Sequence, residues 1–211
     1  MRPYQIQLIN SSLRKFFAFV YYFLERSSLF QLYSVYRRRY QIDPSFIFSG
    51  RDIIFDGEGQ IVIGANTYIS HRAILYAAKD TSLRIGCNCK IAPDFYAHTD
   101  SYVADQSFTD SKLPQRVKGN ISVGDGCWIG QGVFIREGVT VGEDCAVGAG
   151  SVVTRDLPAH TICAGAPCRI IKYKKAYWNV KDAETPLLNQ IPLHDDAQDY
   201  PFPRNLFVVS D

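Results

Sequence analysis

The sequence predicts an all-β fold, a parallel β-helix of six-residue repeats, and three observations carry that prediction. A Val or Ile returns every six residues, without a slip, at Val123, Ile129, Ile135, Val141, Val147 and Val153. A second set, Ile63, Ile69 and Leu75, then Ile85 and Ile91, keeps the same step within each run. A small or slim residue stands four places on, at Thr67, Ala73, Cys89, Cys127, Val133, Val139, Cys145 and Ser151. A period of six fits neither the 3.6-residue helix nor two-residue strand alternation. It is the signature of stacked coils, each repeat forming one side of a prism. The aliphatic fills an interior corner, and the small residue lets the chain turn and lie on the coil below.

The elements follow in order. Residues 1–44 form an N-terminal helical and aromatic segment. From Leu13 to Leu24 the chain is helix-permissive and carries Phe16, Phe17, Phe19, Tyr21, Tyr22 and Phe23, with Arg14 and Lys15 before it and Arg37, Arg38 and Arg39 after it. One or two helices are expected there. Asp43 and Pro44 punctuate the entry to the β-helix domain, residues 45–175. A first irregular coil is expected from Ser45, with Ile53, Phe55 and Ile61 inside. The step of ten from Leu75 to Ile85 predicts that about four residues bulge out near Lys79 and Asp80. After Ile91 the register breaks. A polar loop over residues 98–120 follows, and a loop of that length inside a compact domain is usually functional. The repeat resumes at Val123 and ends near Pro158, and residues 160–175 close the prism. The tail, residues 176–211, carries Pro186, Pro192, Pro201 and Pro203 and reads as an extended strap.

Bulk properties narrow the function. In 211 residues the net charge is +2, which implies no pull toward nucleic acid. Of six Cys, Cys89, Cys127 and Cys145 fall at the small inward position and Cys163 extends their phase, so they read as packing residues and reduced thiols. Cys87 and Cys89 form C-x-C, not a zinc spacing, and no metal is expected. Met1 opens on a polar stretch unlike a signal peptide, and no apolar run reaches membrane-spanning length. A cytoplasmic protein is expected. The aromatic N-terminal segment has two readings. It caps the open end of the prism, the preferred one, or it lies on the inner face of a membrane, aromatics in the interface and Arg toward lipid phosphate.

The segment ISVGDGCWIGQGVFIREGVTVGEDCAVGAGSVVTRDLPAHTICAGAPCRIIK, residues 121–172, together with HTD at 98–100, resembles the hexapeptide-repeat acyltransferases. It is most similar to the sugar O-acetyltransferases of the galactoside, maltose and nodulation type. The resemblance covers roughly residues 60–175. It implies a left-handed prism, a homotrimer and acetyl-CoA as donor. The expected reaction is acetyl transfer to a sugar hydroxyl, in polysaccharide or glycolipid biosynthesis. N-acetylation of an amino-sugar nucleotide or another amine is the alternative within the same fold. A metal hydrolyase of the carbonic anhydrase kind would need three histidines together, and His71, His98, His160 and His194 are scattered. A non-catalytic scaffold trimer sits poorly with His98 beside an intact cofactor segment.

The resemblance also implies site residues. His98 stands at the place of the family's catalytic His, where a neutral imidazole removes the acceptor proton; otherwise it is a solvated loop residue. Asp100 orients that imidazole, binds a sugar hydroxyl, or is simply solvated. Trp128 walls the acceptor site or packs a trimer interface. His71 and Arg72 stand near the family's acceptor-binding Asn and are candidates to line a neighbouring subunit's pocket. His160 and His194 read as surface residues. A backbone N–H near Gly130 can serve the oxyanion. Gly130 and Ala149 are small enough for the pantetheine arm to approach. Gln131, Ala149, Thr154, Arg155, Arg169 and Lys172 correspond to residues along the arm and nucleotide, with the cations suited to phosphate. Gln131 departs from a small hydroxyl residue common in the galactoside type. The Cys positions argue against a covalent acyl-enzyme.

Overall fold

The computed structural model describes residues 11–109 and 114–174, all within one compact unit. The expected extended tail lies outside the described residues. Three parallel sheets run the length of a solenoid. The first face carries Gln41–Ile42, Gln60–Ile63, Ser82–Ile85, Ile121–Val123 and Thr140–Val141. The second carries Ile47–Ser49, Tyr68–Ser70, Lys90–Ile91, Trp128–Ile129, Ala146–Val147 and Thr161–Gly165, closed by the antiparallel Cys168–Tyr173. The third carries Ile54–Asp56, Ile74–Tyr76, Tyr96–His98, Phe134–Ile135 and Val152–Val153. The register stacks like on like: Ile69 on Ile91, Ile129 on Ile91 and on Val147. The six-step aliphatics and their slim partners are all buried, most with no exposed surface.

Nine corners turn through a left-handed backbone residue three places after the aliphatic: Asn66, Arg72, Asn88, Asp94, Gly126, Gly132, Gly138, Asp144 and Gly150 all have positive φ. Asn, Asp and Gly suit that conformation and Arg does not, so Arg72 stands out. The thiols pack as expected. Cys89, Cys127, Cys145, Cys163 and Cys168 are buried and all six Cys are free. Cys89, Cys127 and Cys145 each donate to a carbonyl of the next coil, on Gly124, Gly142 and Pro158.

Three sequence expectations shift. The first coil begins at Gln41, ahead of Ser45, because Gln41 and Ile42 already pair with Val62 and Ile63; Ile53, Phe55 and Ile61 lie inside as expected. The extra residues between Leu75 and Ile85 do not all bulge. Lys79 and Asp80 turn outward, but Ala77, Ala78 and Leu83 are buried, and Leu83 stacks between Ile61 and Ile121. The register also survives past Ile91. The coil completes its third face at Tyr96–His98, with sizes exchanged: Phe95 takes the slim position and Ala97 the aliphatic one, both fully buried. An exchange that conserves volume keeps a core filled. Only after it does the chain leave the prism, as an antiparallel pair of Asp100–Tyr102 with Arg116–Lys118.

The N-terminal segment is one helix, Ser11–Arg39. Its last turns cap the first coil: Tyr33 stacks on Phe48 at 4.0 Å and Tyr36 on Phe55 at 5.2 Å, between ring centroids. Arg37 donates to the carbonyls of Asp43 and Phe46. Its earlier turns leave their aromatics exposed.

Candidate active site

His98 projects from the third face, in register with Tyr76 on the coil before. The imidazole sits beside the Tyr76 ring at 5.8 Å and the Phe134 ring at 6.2 Å. Its Nε2 is buried and has no hydrogen-bond partner. Burial pushes the His98 pKa down, and the Asp100 carboxylate partly opposes that shift. The ring is therefore held neutral, with one nitrogen dry and uncommitted, the state in which an imidazole can accept a proton.

Asp100 acts on His98 through its field. Its side chain is nearly buried, and its Oδ2 accepts from Arg116 Nε at 2.6 Å. The Arg116 guanidinium lies 4.4 Å from the Tyr102 ring centroid. The pair clamps the root of the excursion across its antiparallel strands. Arg116 and the two rings flanking His98 were not legible in the sequence. Arg116 meets Asp100 through a hairpin register that the six-residue repeat does not encode. Tyr76 and Phe134 are marked only as the outward neighbours of core positions.

A polar ladder runs up the edge between the second and third faces. Arg72 donates to both oxygens of Asp94, at 2.6 and 2.9 Å, and Gln131 Nε2 donates to Asp94 Oδ2 at 3.0 Å. These bonds, Arg72's first, hold the Asp94 carboxyl below its ordinary range. Asp94 is the ladder's centre, and the phase of the corners could have found it. Beside it, His71 Nδ1 accepts from the Arg51 N–H at 3.1 Å. His71 and Arg72 are thus both engaged within the chain, and Gln131 shares Asp94 with Arg72.

Gly130 is small for a structural reason. A Cβ there would lie 2.6 Å from the Ala149 backbone nitrogen on the next coil. Ala149 follows on the same edge. Thr154 and Arg155 border the far side of the third face, after Val152–Val153. Arg169 lies opposite Ala164 and Lys172 opposite Ile162 on the closing strands. Among the described residues Arg155, Arg169 and Lys172 make no ion pair; Arg169 donates only to the Cys168 carbonyl. Cations that make no ion pair among the described residues suit a polyphosphate. Trp128 lies on the second face, 54% exposed, between Lys90 and Ala146. His98 and Trp128 therefore occupy different faces of one prism.

Residues 120–155 match the bacterial transferase hexapeptide (six repeats) family. The chain belongs to the hexapeptide-repeat transferases, and its solenoid is their left-handed β-helix. It is 33% identical over 120 residues to the galactoside O-acetyltransferase of Escherichia coli, which covers 57% of each chain. It superposes on a maltose O-acetyltransferase from Clostridium difficile with a TM-score of 0.50 and 30% identity, over 62% of this chain and 71% of that one. A hexapeptide-repeat acetyltransferase from Vibrio cholerae, complexed with acetyl coenzyme A, aligns with a TM-score of 0.53 and 27% identity, over 68% of this chain and 76% of that one. The chain spans a little over half the length of the curated relatives it matches.

Proposed function

We infer that this protein is an acetyl-CoA-dependent O-acetyltransferase that acetylates a sugar hydroxyl in glycan or glycolipid assembly. The observation that carries this reading is His98, neutral and flanked by two rings, with a buried Nε2 that nothing in its own chain satisfies. An unpartnered buried nitrogen costs stability, and an acceptor hydroxyl that displaces a flanking ring to reach it would relieve that cost. His98 takes the proton as the hydroxyl oxygen bonds to the thioester carbonyl carbon. The C–S bond then breaks, and the proton passes to the departing thiolate. The third face, from His98 to Ala149 and Thr154, offers a strip along which the pantetheine arm can lie, with Arg155 and Arg169 for the phosphates.

The site is built between copies of the chain. His98 and Trp128 stand on different faces, so a single prism cannot bring both to one acceptor. A homotrimer that lays the third face of one copy against the second face of the next would do so. Sedimentation should then report a trimer.

The test of the reaction is an acceptor panel of hydroxyl and amine sugars, read by thiol release and product mass. A product heavier by one acetyl on oxygen supports the reading. Release of thiol only with amine acceptors would replace it with N-acetylation.

A further inference from the structure

The helix Ser11–Arg39 meets the solenoid along one side only. At about 100° per residue, Glu25, Leu29, Tyr33 and Tyr36 form one stripe, and this stripe meets the solenoid. Glu25 pairs with Arg51 at 2.8 Å, Leu29 faces the same corner, and the two tyrosines stack on the first coil. Phe16, Phe17, Phe19, Phe23 and Phe30 fall on the side turned away. They are 57–74% exposed. An apolar patch of that size on a folded surface marks an interaction site.

We propose that this aromatic side lies in the interfacial zone of an anionic lipid bilayer. Charge selects the partner. Over the exposed turns the helix carries Arg14, Lys15 and Arg26, against Glu25 alone, and Glu25 is already paired with Arg51. Arg26 is folded back over the Tyr22 ring at 5.2 Å, along the border of the apolar side. Aromatics on one side, with basic residues on the other and at its border, is the composition of a helix that lies in the membrane plane. A second copy of the helix fits less well. The five residues spread over an arc of about 160°, wider than the narrow seam of a coiled coil. Pairing would leave Phe17 or Phe19 in water. Insertion is shallow, because among the described residues no helix is long and apolar enough to cross a membrane. The inference rests on the helix alone and is independent of the reaction proposed above.

Flotation of the full-length protein tests it, using vesicles of phosphatidylcholine with and without phosphatidylglycerol. The protein should float with the anionic vesicles, less with the neutral ones, and be released by salt. Phe16→Gln/Phe19→Gln/Phe23→Gln should abolish flotation with the melting temperature and sedimentation unchanged. Arg14→Gln/Lys15→Gln should weaken partition into anionic vesicles about 25-fold, near fivefold for each charge. Wild-type protein that ignores both vesicles would overturn the proposal, as would a triple variant that floats undiminished. A triple variant that falls apart into smaller species, while the wild type ignores vesicles, would assign the aromatic side to a second copy.

Discussion

Phe95→Ala tests how the coil beneath His98 is filled. Phe95 is fully buried, and so is Ala97, the next inward residue on the same strand run. Its neighbours in the slim column are Ala73 and Val133, joined to it by the bonds Ile74 N–H to Phe95 O and Tyr96 N–H to Val133 O. None of these can swing into the space a lost ring leaves. Phe→Ala in a core costs about 3–5 kcal/mol, more where the site cannot collapse, so the upper part of that range, about 4–5 kcal/mol, is expected. In a chain of this size that lowers the melting temperature by roughly 8–20 °C. Ala97→Leu alone should also destabilise, by about 1–3 kcal/mol, through overpacking. Combined, the two should recover about half of the Phe95→Ala loss, because a leucine from the adjacent column refills the cavity. Urea melts of the four proteins form the cycle, and the coupling energy should favour the double variant. Simple additivity, or a Phe95→Ala cost below about 2 kcal/mol, would refute the size-exchange account.

Three further outcomes are expected. Arg116→Ala removes the cation that neutralises Asp100. The carboxylate then raises the His98 pKa more strongly, so the acidic limb of kcat/KM should move to higher pH; an unmoved limb would remove Asp100 from the site's electrostatics. Arg169→Ala should weaken acetyl-CoA binding by about 1–3 kcal/mol if the guanidinium meets a phosphate, and calorimetry with unchanged affinity would displace the nucleotide from the closing strands. Deleting residues 1–40 should lower the melting temperature by uncovering Phe46, Phe48 and Phe55, whereas deleting residues 1–20 should change it little; equal melting of both truncations and the full chain would show that the tyrosine stack caps nothing.

The regular coils were legible because each stacked position repeats one requirement, an aliphatic that fills and a slim residue that turns. Where Phe95 and Ala97 exchange sizes, the volume rule still holds but the residue rule fails, so the third coil looked broken one strand too early. Leu83 was hidden for a similar reason: a longer first-face strand adds a second inward residue that the six-step does not count. His98 was singled out by its motif, and it closes the third coil. The partner of Asp100 was not legible, because pairing across the excursion depends on a hairpin register set outside the repeat. Engagement of Arg72 and Gln131 with Asp94 likewise needs three coils stacked in space. The helix was read as aromatic and basic, but only its position shows that its C-terminal tyrosines pack while the earlier aromatics face outward.

His98 is proposed as the general base. The pH dependence of kcat/KM for the wild type beside His98→Ala tests it most directly. Burial lowers the His98 pKa from its ordinary 6.5, so the ring stays neutral to lower pH than a free imidazole. The wild-type acidic limb should therefore fall below pH 6.5, with the slope of a single proton. His98→Ala should lose a factor of ~10²–10⁴ in rate, lack that limb, and bind acetyl-CoA as the wild type does. A His98→Ala protein with full activity and the same acidic limb would contradict the account.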